Sequence, residues 1–389
     1  MNIYEKAANQ HKTWRGKVEI TSKVKVENTA DLSLAYSPGV AEPCRIIAEQ
    51  PDKVWDYTWK SNTIAVVSDG SAVLGLGNIG PSAALPVMEG KAVLFKTFAN
   101  VDAIPLCLAT QDVDEIVAII KALEPTIGGV NLEDISAPRC FEIERRLQSE
   151  TDIFVFHDDQ HGTAVVCLAG LINALKVINK GKGSKIIING IGAAGSAIVR
   201  LLLYDGYENL VTVGRNGRLI PGDPTNDENQ EEIALLTNPH ATKETLAEAL
   251  VGADVFIGVS APNILTVEMI RGMNDNPVVF ALANPEPEIA VELALEAGAA
   301  IVATGRSDYP NQINNVLGFP GIFRGALDAR ARDINNEMKT AAAYAIANLI
   351  SEPNHEYIIP SPFNQLVVEV VAQAVKEAAY RTNVAWEAR

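Results

Sequence analysis

Short apolar runs rich in valine, isoleucine and phenylalanine punctuate this chain, separated by polar turns. In the first part, Thr63 to Val67, Val101 to Leu108, Gly128 to Leu132 and Ile153 to Phe156 read as buried strands. Ala92 to Phe95 reads as another, with Lys91 at its mouth. Helical spacing covers Val113 to Leu123, Arg139 to Gln148 and Ala164 to Ile178. In the second part, strands are expected at Lys185 to Ile188, Asn209 to Val213, Asp254 to Ser260, Pro277 to Leu282 and Ala299 to Ala303. Helical segments lie between them, at Ser196 to Leu203 and at Gln230 to Leu250 with a break at Asn238-Pro239. Strands that alternate with helices predict an α/β fold with a doubly wound parallel sheet. The stretch before about residue 35 looks helical, then irregular. The end of the chain is helical, apart from a break at Pro353 and a polar tail.

The strand ends carry the chemistry. In open α/β sheets, ligands sit just beyond the carboxyl ends of the strands. One strand ends in Glu133-Asp134 and the next in His157-Asp158-Asp159. Two acidic pairs at successive tips can supply an all-oxygen site for Mg²⁺ or Mn²⁺, with Asp159 facing the ion. His157 and His161 raise zinc as a rival, but a residue leaving a strand rarely shares a helical face with the residue four later. Lys91 beside an apolar strand is costly unless it is paired or used. Desolvation there would lower its pKa toward base chemistry; the bland alternative is a side chain that snorkels to solvent. Tyr36 stands in the loop Ala35 to Pro43, stiffened by Pro38 and loosened by Gly39. Taken alone it is a packing residue.

Two stretches match G-x-G-x-x-G. Gly190-Ile191-Gly192-Ala193-Ala194-Gly195 has the setting a dinucleotide requires, with an apolar strand before it and an apolar helix after. Its glycines allow the tight turn and the close approach of pyrophosphate to a helix N-terminus. Gly75 to Gly80 lacks that setting, since Pro81, Pro86 and an early strand follow it, and reads as a substrate-side loop. The next strand tip is Gly214-Arg215, where NAD sites usually carry an acid for the ribose hydroxyl. Arg215 suits the 2′-phosphate of NADP instead, and Asp223 is a displaced acid, so NAD and NADP both stay open. Ser260 and Asn284 sit at later strand tips, over the nicotinamide side.

With 389 residues, about two domains are expected. The net charge of −16 argues against nucleic acid and anionic membrane as partners. No apolar run approaches the roughly 18 residues of a membrane span. Met1 to Lys6 lacks a signal-peptide core. Four scattered cysteines with no C-x-x-C pair read as reduced thiols of a cytoplasmic protein.

The motifs Tyr36-Ser37-Pro38-Gly39-Val40-Ala41, Gly75 to Gly80, Glu89-Gly90-Lys91, Asn131 to Ile135, His157 to Thr163, Asn284-Pro285 and Asn314-Asn315-Val316 occur in that order. On these the chain resembles the short bacterial malic enzymes, from near its start to about residue 380. The resemblance implies an N-terminal α/β substrate and metal domain over residues 1–161. It implies a Rossmann-type NAD(P)-binding domain with C-terminal helices over 162–389. The activity it implies is oxidative decarboxylation of (S)-malate to pyruvate and CO₂, with NAD or NADP and Mg²⁺ or Mn²⁺, in a homodimer. By that resemblance Glu133, Asp134 and Asp159 hold the metal, and Tyr36 and Lys91 form the acid–base pair. Asn284 and Asn315 hold substrate carboxylate, and Asp158 partners Lys91. The chain departs from larger relatives in offering no arginine at Ser71-Ala72-Val73 and no acid at Gly214. An oxaloacetate decarboxylase with the same metal site is the main alternative. A malolactic enzyme and a catalytically silent nucleotide-binding scaffold fit less well.

Overall fold

The structure is a computed structural model that describes residues 2–73 and 75–386. Ten strands form two sheets. β1 (Thr63–Ser68), β2 (Asp102–Cys107), β3 (Gly129–Leu132) and β4 (Phe154–His157) pair in the order β2-β1-β3-β4, all parallel. β1, β3 and β4 are buried along their whole length, which is why they read as unbroken apolar runs rather than alternating ones. β2 lies at an edge, is half-buried, and contains Pro105. A central strand would not tolerate that proline.

β5 (Ile186–Asn189), β6 (Leu210–Gly214), β7 (Gly217–Arg218), β8 (Val255–Gly258), β9 (Val278–Ala281) and β10 (Ile301–Thr304) form the second sheet, in the order β10-β9-β8-β5-β6-β7. Five strands are parallel, and the short β7 runs antiparallel to β6. The order reverses between β5 and β8, the switch point at which doubly wound sheets bind ligands. The two-residue β7 carried no apolar pattern and was not expected.

Helix Asp158–Val177 joins the sheets. It starts directly at the end of β4, six residues earlier than expected at Ala164, because Gly162-Thr163 reads as a break yet stays helical. Asp158 and Asp159 in its first turn suit the positive end of the helix dipole. The expected division at 161/162 falls within this helix. Its residues are buried nearly all round, as expected of a core helix. It packs on helices Ala193–Tyr204 and Asn336–Asn348, so one apolar cluster runs through both sheets. At the centre of that cluster Phe95, Phe154, Phe156 and Phe319 meet Phe323 or one another edge to face.

One expected strand is a helix. Ala92 to Phe95 lies within helix Pro81–Ala99. Its buried positions Ala84, Met88, Lys91, Ala92, Phe95 and Ala99 follow the helical period, Pro81 starts it, and Asn100 in a left-handed conformation ends it. Pro86 inside the helix hid the period. Lys91 is therefore a mid-helix residue and not the mouth of a strand.

Candidate active site

Glu133 and Asp134 follow β3, and Asp158 and Asp159 open the helix after the neighbouring β4. Parallel pairing sets Leu132 beside His157, which brings the two acidic tips together. Ligand oxygens of Glu133, Asp134 and Asp159 all lie within 4.8 Å of one another. Asp134 takes a left-handed conformation, φ 53°, and its backbone N–H donates to Asp159 Oδ2 at 2.8 Å. A non-glycine residue in that region is uncommon and is held there by its surroundings.

Lys91 is buried and reaches the acids from its helix. Its Nζ lies 2.7 Å from Glu133 Oε1 and 2.6 Å from Asp158 Oδ2, and 4.3 Å from the centre of the Phe319 ring. Asn315 Nδ2 donates to the same Asp158 oxygen at 2.5 Å, and Asn131 Nδ2 donates to Glu133 Oε2 at 2.8 Å. Asp158 Oδ1 folds back against Gly162, where a Cβ would stand 1.8 Å away. The Asp158 contact is the one the resemblance implied, the Glu133 contact was not expected, and the expectation of a lowered pKa is overturned. Burial alone would lower it, but the charges of Asp158 and Glu133 outweigh burial and raise it, so Lys91 is an ammonium here. Burial pushes the carboxyls of Glu133 and Asp158 up to about 7 and that of Asp159 up to about 6, against the pull of Lys91.

Four carboxyl groups thus converge with one ammonium. The surplus charge sits on oxygen, which is the donor set that Mg²⁺ or Mn²⁺ prefers. The zinc alternative finds no histidine in the cluster of ligand atoms. His161 turns away: its Nε2 lies 3.0 Å from Glu144 Oε2, and Lys339 Nζ lies 3.2 Å from its Nδ1. Neither Glu144 nor Lys339 carried a signal in the sequence beyond its charge.

The second site lies at the switch point. A cavity of about 1060 Å³ is lined by Gly190, Gly192, Arg215 and Ser260, among others. Gly190 has φ +102°, and a Cβ at Gly195 would stand 1.8 Å from the Gly190 carbonyl. A Cβ at Gly192 would meet nothing within 4 Å. The loop is therefore closed toward the protein and open toward the cavity, which is the cradle that a pyrophosphate needs. Ala193, Ala194 and Gly195 form the first turn of the helix behind it. Arg215 is exposed and unpaired among the described residues, and Asp223 accepts from Thr225 within the same cavity wall. Ser260 Oγ donates to Asn189 Oδ1 at 2.6 Å.

Asn284 is exposed, just past β9 and before a cis bond to Pro285. It meets the first sheet's glycine loop: a Cβ at Gly75 would stand 3.0 Å from the Asn284 carbonyl. Gly75, Gly77 and Gly80 all have positive φ, but close backbone approach occurs at Gly75, while a Cβ at Gly77 or Gly80 would meet nothing within 4 Å. Tyr36 is not drawn in. It is 68% exposed, its hydroxyl has no hydrogen bond among the described residues, and it ends the exposed helix Thr29–Ala35.

A dinucleotide cradle at the switch point of one sheet, together with a lysine–carboxylate cluster at the strand tips of another, points to an NAD(P)-dependent oxidoreductase. Residues 15–148 match the malic enzyme N-terminal domain, and residues 160–380 match the malic enzyme NAD-binding domain. The chain belongs to the malic enzyme family. It is 58% identical to the bifunctional malic/malolactic enzyme of Bacillus subtilis, over 99% of this chain and 95% of the relative. It is 60% identical to the NAD-dependent malic enzyme of Geobacillus stearothermophilus, over 95% of this chain and 78% of that one. A crystal structure of NAD-dependent malic enzyme from Thermotoga maritima aligns with a TM-score of 0.92 at 53% identity, covering 95% and 98% of the two chains. Relatives named for NADP dependence occur as well.

Proposed function

We propose that the chain oxidises (S)-malate and decarboxylates it to pyruvate and CO₂ while reducing NAD or NADP, with Mg²⁺ or Mn²⁺ at Glu133, Asp134 and Asp159. The observation that carries this reading is the buried Lys91, bracketed by Glu133 at 2.7 Å and Asp158 at 2.6 Å beside the carboxylate cluster. When bound, the cation acidifies the 2-hydroxyl of malate and polarises the carbonyl that follows, and the nicotinamide accepts the hydride. Lys91 takes the hydroxyl proton. A cation held by Glu133 would weaken one of the charges that keep Lys91 protonated and so shift it toward the neutral amine a base requires. Asp158 holds Lys91 and Asn315 on one carboxylate oxygen and so fixes their spacing. Asn315 and Asn284 offer amides to the substrate carboxylates. CO₂ leaves from C3, and Tyr36 returns a proton there. Gly190, Gly192, Ala193, Ala194, Gly195 and Ser260 hold the dinucleotide, and Arg215 is placed to meet a 2′-phosphate.

Residues 1–161 form the substrate and metal domain and 162–389 the dinucleotide domain, which also lends Asn284 and Asn315 to the substrate; residues 1, 74 and 387–389 lie outside the described residues. The protein works in the cytoplasm as a homodimer. Tyr36 supports the dimer, since on this chain it reaches neither Lys91 nor the carboxylates through any bond among the described residues. No helix of the described residues is long and apolar enough to cross a membrane.

The test is the near-ultraviolet absorbance of reduced nicotinamide, followed with malate and Mn²⁺ in the presence of NAD or NADP. Rapid reduction of one cofactor is expected and also defines the role of Arg215. No reduction of either, with metal-dependent loss of oxaloacetate, moves the reading to a decarboxylase.

A further inference from the structure

His157 closes β4 and is fully buried, yet neither ring nitrogen has a hydrogen-bond partner among the described residues. An imidazole left without partners in an interior is costly and calls for an explanation. A carboxylate oxygen stands close: Nε2 lies 3.4 Å from Asp159 Oδ2, without hydrogen-bond alignment. The same oxygen already accepts the Asp134 N–H at 2.8 Å.

We propose that His157 is a positioning residue for the divalent cation: its Nε2–H donates to Asp159 Oδ2 when the cation is bound, and so aims the other oxygen of that carboxylate at the ion. This rests on the reading that Glu133, Asp134 and Asp159 hold the metal. Three features favour it. The group nearest Nε2, the Asp159 carboxylate, is an acceptor, which selects the Nε2–H tautomer of a neutral ring. The ring is clamped at a strand end, with its backbone N–H donating to Glu144 Oε1 at 2.9 Å, so its aim is fixed by the sheet. A small turn of the Asp159 side chain, itself a third exposed, completes the bond without moving backbone. Residues that orient a ligand from behind typically change metal affinity 10- to 100-fold.

The experiment titrates Mn²⁺ into the whole protein without substrate, following free Mn²⁺ by electron paramagnetic resonance, for wild type and His157→Leu. The Mn²⁺ Kd is expected to rise about tenfold or more in the variant. Its NADH affinity, read by fluorescence, and its Tm should stay near wild type. An unchanged Mn²⁺ Kd in a folded variant overturns the proposal, as does a parallel loss of Mn²⁺ and NADH binding with a lowered Tm. Wild type that binds no Mn²⁺ overturns the metal site as well, which separates the two readings. The second measurement needs no variant to fold. Long-range ¹H–¹⁵N spectra of the wild type, which has five histidines, should show His157 with its proton on Nε2 once Mg²⁺ is added. A proton on Nδ1 in the Mg²⁺-loaded protein overturns the proposal.

Discussion

Lys91 keeps its place in the interior because Glu133 and Asp158 flank it. Removing the ammonium leaves buried carboxylates without their counter-charge, so the lysine has structural as well as chemical weight. As the base, it should matter by about 10²- to 10⁴-fold in kcat. Lys91→Ala is expected to lose that much malate turnover while still binding NADH, since the dinucleotide cavity lies on the other sheet. A variant with near-normal turnover would falsify the role of Lys91 as base. The residue itself was legible in the sequence as a lysine too costly to leave idle. Its partner Asp158 came with the family resemblance, but the flanking Glu133 did not. The sign of its pKa shift depends on two carboxylates 42 and 67 positions away, which only the pairing of β3 with β4 brings together.

Among the elements, the dinucleotide loop was the most legible. Its glycines sit where a strand gives way to a helix, and each has a separate reason to be glycine. Gly195→Ala pushes a methyl into the Gly190 carbonyl and is expected to lower Tm and NADH affinity together. Gly192→Ala has room on the protein side. It should leave Tm unchanged and weaken NADH binding roughly tenfold, the effect of about 1.4 kcal/mol of lost approach. Thermal melts and a fluorescence titration of both variants check this pair. Where the elements misled, a single local feature did it. Pro86 concealed a helix, and Gly162 concealed the first turn of another. Glycine and proline are statistical breakers, and tertiary packing overrides them.

For the whole molecule, the N-terminal segment stands out by its exposure. The helices Ile3–Trp14, Thr29–Ala35 and Ala41–Glu49 bury no residue, and Ile20 and Leu34 are 91% and 80% exposed. Apolar surface gathered in one stretch marks an interface. Sedimentation at micromolar concentration is expected to show a dimer. Ile20→Asp with Leu34→Asp should weaken it by roughly a hundredfold or more, at about 1.5–3 kcal/mol per lost side chain. Monomers formed in this way should keep NADH binding and lose malate turnover. A wild type that sediments as a monomer with full activity would remove the dimer and its claim on Tyr36. In the sequence the dimer was implied only by the family resemblance, since no periodicity along one chain marks a surface for a second copy.

The direct passage of β4 into helix Asp158–Val177 has a mechanical consequence. At 1.5 Å per residue, the 20-residue helix is a lever roughly 30 Å long. Its near end is the acidic tip. If the two sheets rock against each other about that point, a tilt of about 10° would swing the far end of such a rod by roughly 5 Å. The carboxylates at the near end would hardly stir. A cleft hinged in this way could open to exchange dinucleotide while its cation stayed seated.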